Sequence, residues 1–175
     1  MGSGGIGKST SAAIFARMGL PVLTDDVLAL RDRETAFDVQ PGLPRVLLWS
    51  ESVRALFGDA EALPRIVGGW DKRYLDLTQQ SGRFETEPRP LAAIFLLHER
   101  CDDPGAPFVE SIPRAEALMS LIANTYATKL MDKQMRAREF ELLSRLLTRV
   151  PLRRVTPHAS PDRIPELCDS ILLHV

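Results

Sequence analysis

The sequence predicts an α/β fold assembled around a phosphate-binding loop, and three observations carry that prediction. Residues 2–9, Gly2-Ser3-Gly4-Gly5-Ile6-Gly7-Lys8-Ser9, fit the pattern G-x-x-x-x-G-K-[ST] at every fixed position. Short apolar runs bounded by Pro, Gly or acidic residues alternate with stretches of helical periodicity along the chain. With 175 residues and an apolar content of 45%, the chain can bury a proper core; it shows no repeat, low-complexity tract or linker, so one domain over 1–175 is expected.

The loop explains its own residue types. Glycine tolerates positive φ and lets backbone N–H groups turn inward around phosphate oxygens, where a Cβ would obstruct them. Lys8 would reach the β- and γ-phosphates, and the Ser9 hydroxyl would help hold Mg²⁺. A helix beginning at Ser9 would add its N-terminal N–H groups and dipole to the same anion site. The expected nucleotide contacts are therefore Gly2, Ser3, Gly4, Gly5, Ile6, Gly7, Lys8, Ser9 and Thr10, with ATP and Mg²⁺ as the implied ligand and ion. Such a loop ordinarily follows a buried strand. Met1 stands directly before Gly2, so the expectation is either a start upstream or a version of the fold lacking its first strand.

The remaining elements follow in order. Ser9–Met18 is helix-compatible, with Gly19 placed to cap it. Pro21–Thr24 reads as a buried strand ending in Asp25-Asp26, and Val27–Leu30 as a second strand. A turn is expected over Arg31–Glu34 with short strands on either side, another strand over Arg45–Trp49, and a small helix over Ser50–Phe57 with Ser50 as N-cap and Gly58 behind it. Lys72–Leu77 alternates charged and apolar residues as a strand does, and 82–90 is a polar surface loop. Leu91–Leu97 is the most apolar run and predicts a central strand. Pro113 opens a helix with Leu118, Leu121 and Ile122 on one face. Asp132–Val150 predicts a longer helix with Phe140, Leu143, Leu147 and Val150 inward. Leu152–Thr156 is a strand, and Pro161–Leu173 a closing helix with Ile164, Leu167 and Ile171 inward.

A phosphate loop alone does not choose between ATPases, GTPases and kinases. The Asp25-Asp26 pair adds a second signal, because strand ends in α/β sheets are where ligands sit. One carboxylate can hold Mg²⁺ while the other orients or deprotonates an attacking hydroxyl, and two adjacent carboxylates are eased by a cation. At these residues the chain resembles the catalytic domain of HPr kinase/phosphorylase and its smaller relatives, among them serine kinases encoded with lasso peptide precursors. The resemblance rests on GSGGIGKST, on ARMGLPVLTDDVLAL, and less specifically on PRVLLW and DKRYLDL; it covers most of the chain. It implies the P-loop fold shared with ATP-dependent phosphoenolpyruvate carboxykinase, and transfer of the γ-phosphoryl group of ATP to a serine hydroxyl of a peptide or small protein. It further implies Asp26 as base, Asp25 with Ser9 on the metal side, Lys8 on the phosphates, and assembly into homo-oligomers. The bifunctional members carry a histidine ahead of the loop, and nothing precedes the loop here, so the short lasso-associated kinases are the nearer likeness and a lasso peptide precursor the implied acceptor.

Lys72 and Arg73 are further candidates for phosphate or acceptor contacts. Arg136, Arg138 and Arg145 read as a solvated helix face, His98, His158 and His174 as surface or strand-end residues, and Trp49 and Trp70 as core or rim packing. A formal charge of −1 gives no global pull toward nucleic acid or anionic membrane. No apolar run approaches the ~20 residues that span a bilayer, which predicts a cytoplasmic protein. Cys101 and Cys168 lack any C-x-x-C partner and read as ordinary thiols. Two other functions stay open: a nucleotide-binding regulatory protein of the same fold with little or no phosphotransfer, and a kinase of a small metabolite.

Overall fold

The computed structural model describes residues 1–2, 4–79, 83–126 and 128–175. Ser3, one of the expected nucleotide contacts, and Gly82, where the polar loop was expected to begin, lie outside them. The chain is mixed α/β. Helix α1 spans Lys8–Arg17 and ends in a Schellman turn: Leu20 N–H donates to Phe15 and Gly19 N–H to Ala16, with Gly19 left-handed at φ 85° as expected of a capping glycine. Strands β1 (Ala29–Asp32), β2 (Phe37–Gln40) and β3 (Arg45–Trp49) follow, then α2 (Ser50–Phe57) and β4 (Lys72–Asp76). Next come β5 (Arg89–Pro90), β6 (Ile94–Leu97), β7 (Phe108–Ser111), α3 (Arg114–Ala123), α4 (Lys133–Leu146), β8 (Leu152–Thr156) and α5 (Ile164–Leu172).

Among the described residues the strands form three small sheets: antiparallel β1-β2-β5, the antiparallel hairpin β3-β4, and β6-β8-β7, in which β6 runs parallel to β8 and β7 antiparallel to it. Each is closed by helices. α1 and α2 cover one face of the hairpin through Ala13, Ala16, Val46, Leu48, Val53, Leu75 and Leu77. α3 and α4 close over Phe37 and Leu152, and α1 with α5 over Leu97 and Val155. Alternation along β3 and β4 is strict: Val46, Leu48, Arg73 and Leu75 are buried, whereas Arg45, Leu47, Trp49, Lys72, Tyr74 and Asp76 form the other, open face.

Several expectations are corrected. Pro21–Thr24 is not a strand; Val22 makes one parallel bridge to Phe84 and the chain then bends at Asp25-Asp26. The second strand starts later, at Ala29, leaving Val27 and Leu28 exposed. Ser50 is not the N-cap of α2. Trp49 holds that position, and the Ser50 hydroxyl donates to Asp71 at 2.6 Å. The run 91–97 is not a central strand: Leu91 N–H is drawn to Phe37 in the neighbouring sheet, and only Ile94–Leu97 pairs, beside β8, which takes the centre. Its apolar character has a different cause. Ile94 and Leu96 face the α3/α4 core while Phe95 and Leu97 face the α1/α5 core, so both faces are covered although β8 bonds only one edge. On the other edge the Met1 amino group donates to Phe95 at 2.6 Å and Leu97 N–H donates to Met1 at 2.8 Å, the bonding of a parallel neighbour.

Within the helices, Phe140 is 51% exposed rather than inward, because only the C-terminal half of α4 packs; Leu146, unforeseen, is fully buried there. α4 is capped by Asp132, whose carboxylate accepts from Met135 N–H at 2.8 Å. β7 had no sequence signal. The two thiols are free, and burial pushes that of Cys168 up to about 12. Among the described residues no helix is long and apolar enough to cross a membrane.

Candidate functional site

The glycine-rich loop leads into α1 with Gly7 at its N-cap. Gly5 and Gly7 have φ of 77° and 109°, values that L side chains rarely adopt, which accounts for glycine at both. Lys8 lies across the loop, its Nζ donating to the Gly2 carbonyl at 2.9 Å. Ser9 is half-buried in the first turn of the helix and its hydroxyl donates to the Asp25 carboxylate. Thr10 is directed elsewhere: it is buried and donates to Ser52 Oγ at 3.2 Å, pinning α1 to α2 rather than opening on the loop.

The Asp pair is held without a strand. Gly42 N–H donates to Leu23 at 2.8 Å, Thr24 Oγ1 donates to Val27 at 3.0 Å, and Leu47 N–H donates to Asp25 Oδ2 at 2.8 Å. A Cβ on Gly42 would stand 2.5 Å from Thr24 Oγ1, so glycine is what lets the two segments meet. Asp25 is half-buried and Asp26 exposed beside it. Burial pushes the Asp25 carboxyl above the ordinary aspartate range; hydrogen bonds from Leu47 N–H and Ser9 pull it back, Asp26 adds to the rise, and the Lys72 ammonium opposes it.

Asp25 and Asp26 line a cavity of about 240 Å³ with Thr24, Val27, Arg45 and Leu47. A second, of about 320 Å³, shares Leu43 and Arg45 with it and extends over Tyr74 and Asp76, so the two run along the open face of the hairpin. Lys72 stands on that face with its ammonium 5.1 Å from the centre of the Trp49 ring. Arg73 does not. One residue along the strand, it points into the core with a side chain 1% exposed and ion-pairs with Glu61. Of the two neighbouring candidates the fold keeps Lys72 at the site and removes Arg73. Trp49 and Trp70 are both more than half exposed.

Two cations at the site carried no motif and were not foreseen. Arg45 lines both cavities; it is paired with Asp76 across the hairpin and shares the open face of β3 with Leu47 and Trp49, a register the sequence does not show. Arg100 follows β6; its Nη2 lies 3.2 Å from where a Cβ on Gly7 would stand. The ends of β6 and β8 lie at the same edge, where Cys101 bridges His158 and Ala159 N–H donates to Cys101. His98 and His174 are exposed.

The donor set suits a hard divalent cation. A hydroxyl and a carboxylate are already in contact, a second carboxylate is adjacent, and Asp25 carries a burial penalty that a cation would relieve. Comparison with family models, curated proteins and solved structures finds no match to the chain.

Proposed function

We propose that this chain is an ATP- and Mg²⁺-dependent kinase of the HPr kinase type, built on a P-loop fold, which transfers the γ-phosphoryl group to a serine hydroxyl of a peptide or small protein. The observation that carries the reading is the contact between Ser9 and Asp25: the motif's own hydroxyl and one carboxylate of a pair 16 residues later meet at the mouth of the glycine-rich loop. The cavity beside Asp26 supports it, since an acceptor hydroxyl needs room next to the base.

The loop N–H groups and Lys8 would hold the phosphate oxygens, and Ser9 with Asp25 would hold the metal. Bound Mg²⁺ supplies charge screening for the phosphates. Asp26 orients the serine hydroxyl and accepts its proton as the serine oxygen bonds to the γ-phosphorus and the bond to ADP breaks. The short lasso-associated kinases, which the chain resembles, make a precursor peptide the first acceptor to try.

The test is calorimetric binding of Mg²⁺-ATP together with phosphate transfer from labelled ATP to serine-containing peptides. Lys8→Ala is expected to abolish binding, and Asp26→Asn to keep binding while lowering transfer roughly 10²- to 10⁴-fold. Undiminished transfer by Asp26→Asn removes Asp26 from the chemistry. Lys8-dependent binding with no transfer to any serine peptide overturns the kinase in favour of a nucleotide-binding regulatory protein.

A further inference from the structure

Arg100 belongs to none of the motifs, yet its guanidinium is at the loop. Nη2 lies 3.2 Å from the position of a Cβ on Gly7, the residue that caps α1 and immediately precedes Lys8. Arg100 is exposed, and among the described residues its side chain makes a single long bond, from Nη1 to the Ala159 carbonyl at 3.4 Å. Among the described residues no carboxylate ion-pairs with it, whereas Arg73, Arg145, Arg154 and Arg163 each have one. A guanidinium left without a carboxylate and set beside an anion-binding backbone has its planar fork available for two phosphate oxygens at once. Its position is also enforced by the fold: it leaves the carboxyl end of β6, parallel to β8, at the edge where Met1 runs on into the loop.

We infer that Arg100 is a second phosphate-binding cation of this site, contacting the β/γ end of the triphosphate from beside Gly7. The inference rests on the nucleotide reading above. Lys8 then acts as a point charge within the loop and Arg100 as a planar fork beside Gly7, so that charge developing on the transferred group meets a second donor group.

Calorimetry of the full chain with Mg²⁺-ATP, Mg²⁺-ADP and AMP tests it, comparing wild type with Arg100→Gln, Arg100→Lys and Lys8→Ala. Glutamine retains a donor for the Ala159 carbonyl and loses the charge. Arg100→Gln is expected to weaken ATP at least 10-fold, leave AMP within 2-fold and leave the melting temperature without nucleotide unchanged, with Arg100→Lys recovering part of the ATP affinity. ATP bound by Arg100→Gln as tightly as by wild type, while Lys8→Ala loses it, overturns the role of Arg100 and leaves the loop reading standing. An equal loss for AMP and ATP also overturns it, because the effect is then not on the terminal phosphates. Failure of the wild type itself to bind ATP removes the underlying reading.

Discussion

Asp25 illustrates how a functional residue sets stability against use. Its carboxyl is raised above the ordinary value of 3.8 chiefly by burial, so the folded chain holds that proton more tightly than the unfolded chain does. Between the two values the native state binds more protons, and this group's contribution to stability therefore falls as pH rises through that window. At neutral pH the charged, half-buried carboxylate is a cost. Asp25→Asn is expected to raise the melting temperature in the absence of ligand and to flatten its dependence on pH just above 3.8, while Mg²⁺ no longer adds stability. A melting temperature unchanged or lowered by the substitution, followed by calorimetry across pH, would remove the assigned penalty. Lys72 and Arg73 give a paired prediction. Arg73 is buried with Nε and Nη1 lacking hydrogen-bond partners, and its Nη1 stands 3.8 Å from Asp71. Arg73→Met should be close to neutral or stabilising in urea titration and leave ATP binding intact, whereas Lys72→Ala should weaken Mg²⁺-ATP measurably. The period of two that separates these residues was written in the alternation of 72–77. What the alternation does not say is which face meets the helices, and that decided which cation reaches the site.

At the scale of the element, the loop and α1 act as one unit. The N-terminal turn needs a left-handed residue, and at Gly7 a Cβ would meet both a disfavoured φ of 109° and the Arg100 guanidinium. Gly4 has open space around it. Gly7→Ala is therefore expected to lower the melting temperature and ATP affinity together, and Gly4→Ala to do much less, in parallel thermal and calorimetric measurements. α4 shows the more ordinary case of a cap. Removing the Asp132 carboxylate from Met135 N–H by Asp132→Ala should cost about 1 kcal/mol in denaturant unfolding, with no effect on nucleotide. Helices were the most legible elements because their boundaries are chemical: Gly19 and Gly58 end α1 and α2 in the left-handed region, and Asp132 starts α4. Strands were less so. The segment 21–24 has strand composition but one bridge: Val22 exchanges backbone bonds with Arg83 and Glu85, Leu23 accepts from Gly42 N–H, and no ladder continues from either.

For the whole molecule, α1 is the joint between two cores. Ala13 and Ala16 face the β3-β4 hairpin while Ile14 faces α5, Leu97 and Val155, so the loop sits where these cores meet. The α3/α4 core is a different cluster: it takes in Phe37 and Leu30 of the first sheet, with the ion pair of Arg145 and Asp32 bridging the same helix and sheet. Truncating its centre with Leu146→Ala should cost ~2–5 kcal/mol in urea unfolding, yet the folded protein should gain the same nucleotide-induced rise in melting temperature as wild type. A lost nucleotide response in a still-folded Leu146→Ala would show that the site depends on that core.

What the sequence determined by itself was chemistry that is local in the chain: the glycine-rich loop with Lys8 and Ser9, the adjacent carboxylates, the glycines that end α1 and α2, and the alternation of 72–77 in β4. These depend on neighbours within a few residues, through φ preferences, caps and periodicity. The tertiary structure alone decided which distant groups share a space. It brought Asp25 to Ser9 through the Leu47 amide and the glycine at 42, put Lys72 rather than Arg73 on the open face, and set Arg100 against Gly7 across 93 residues. Such pairings arise from how strands stack and which faces the helices cover, a balance of burial over the whole chain that no short stretch encodes.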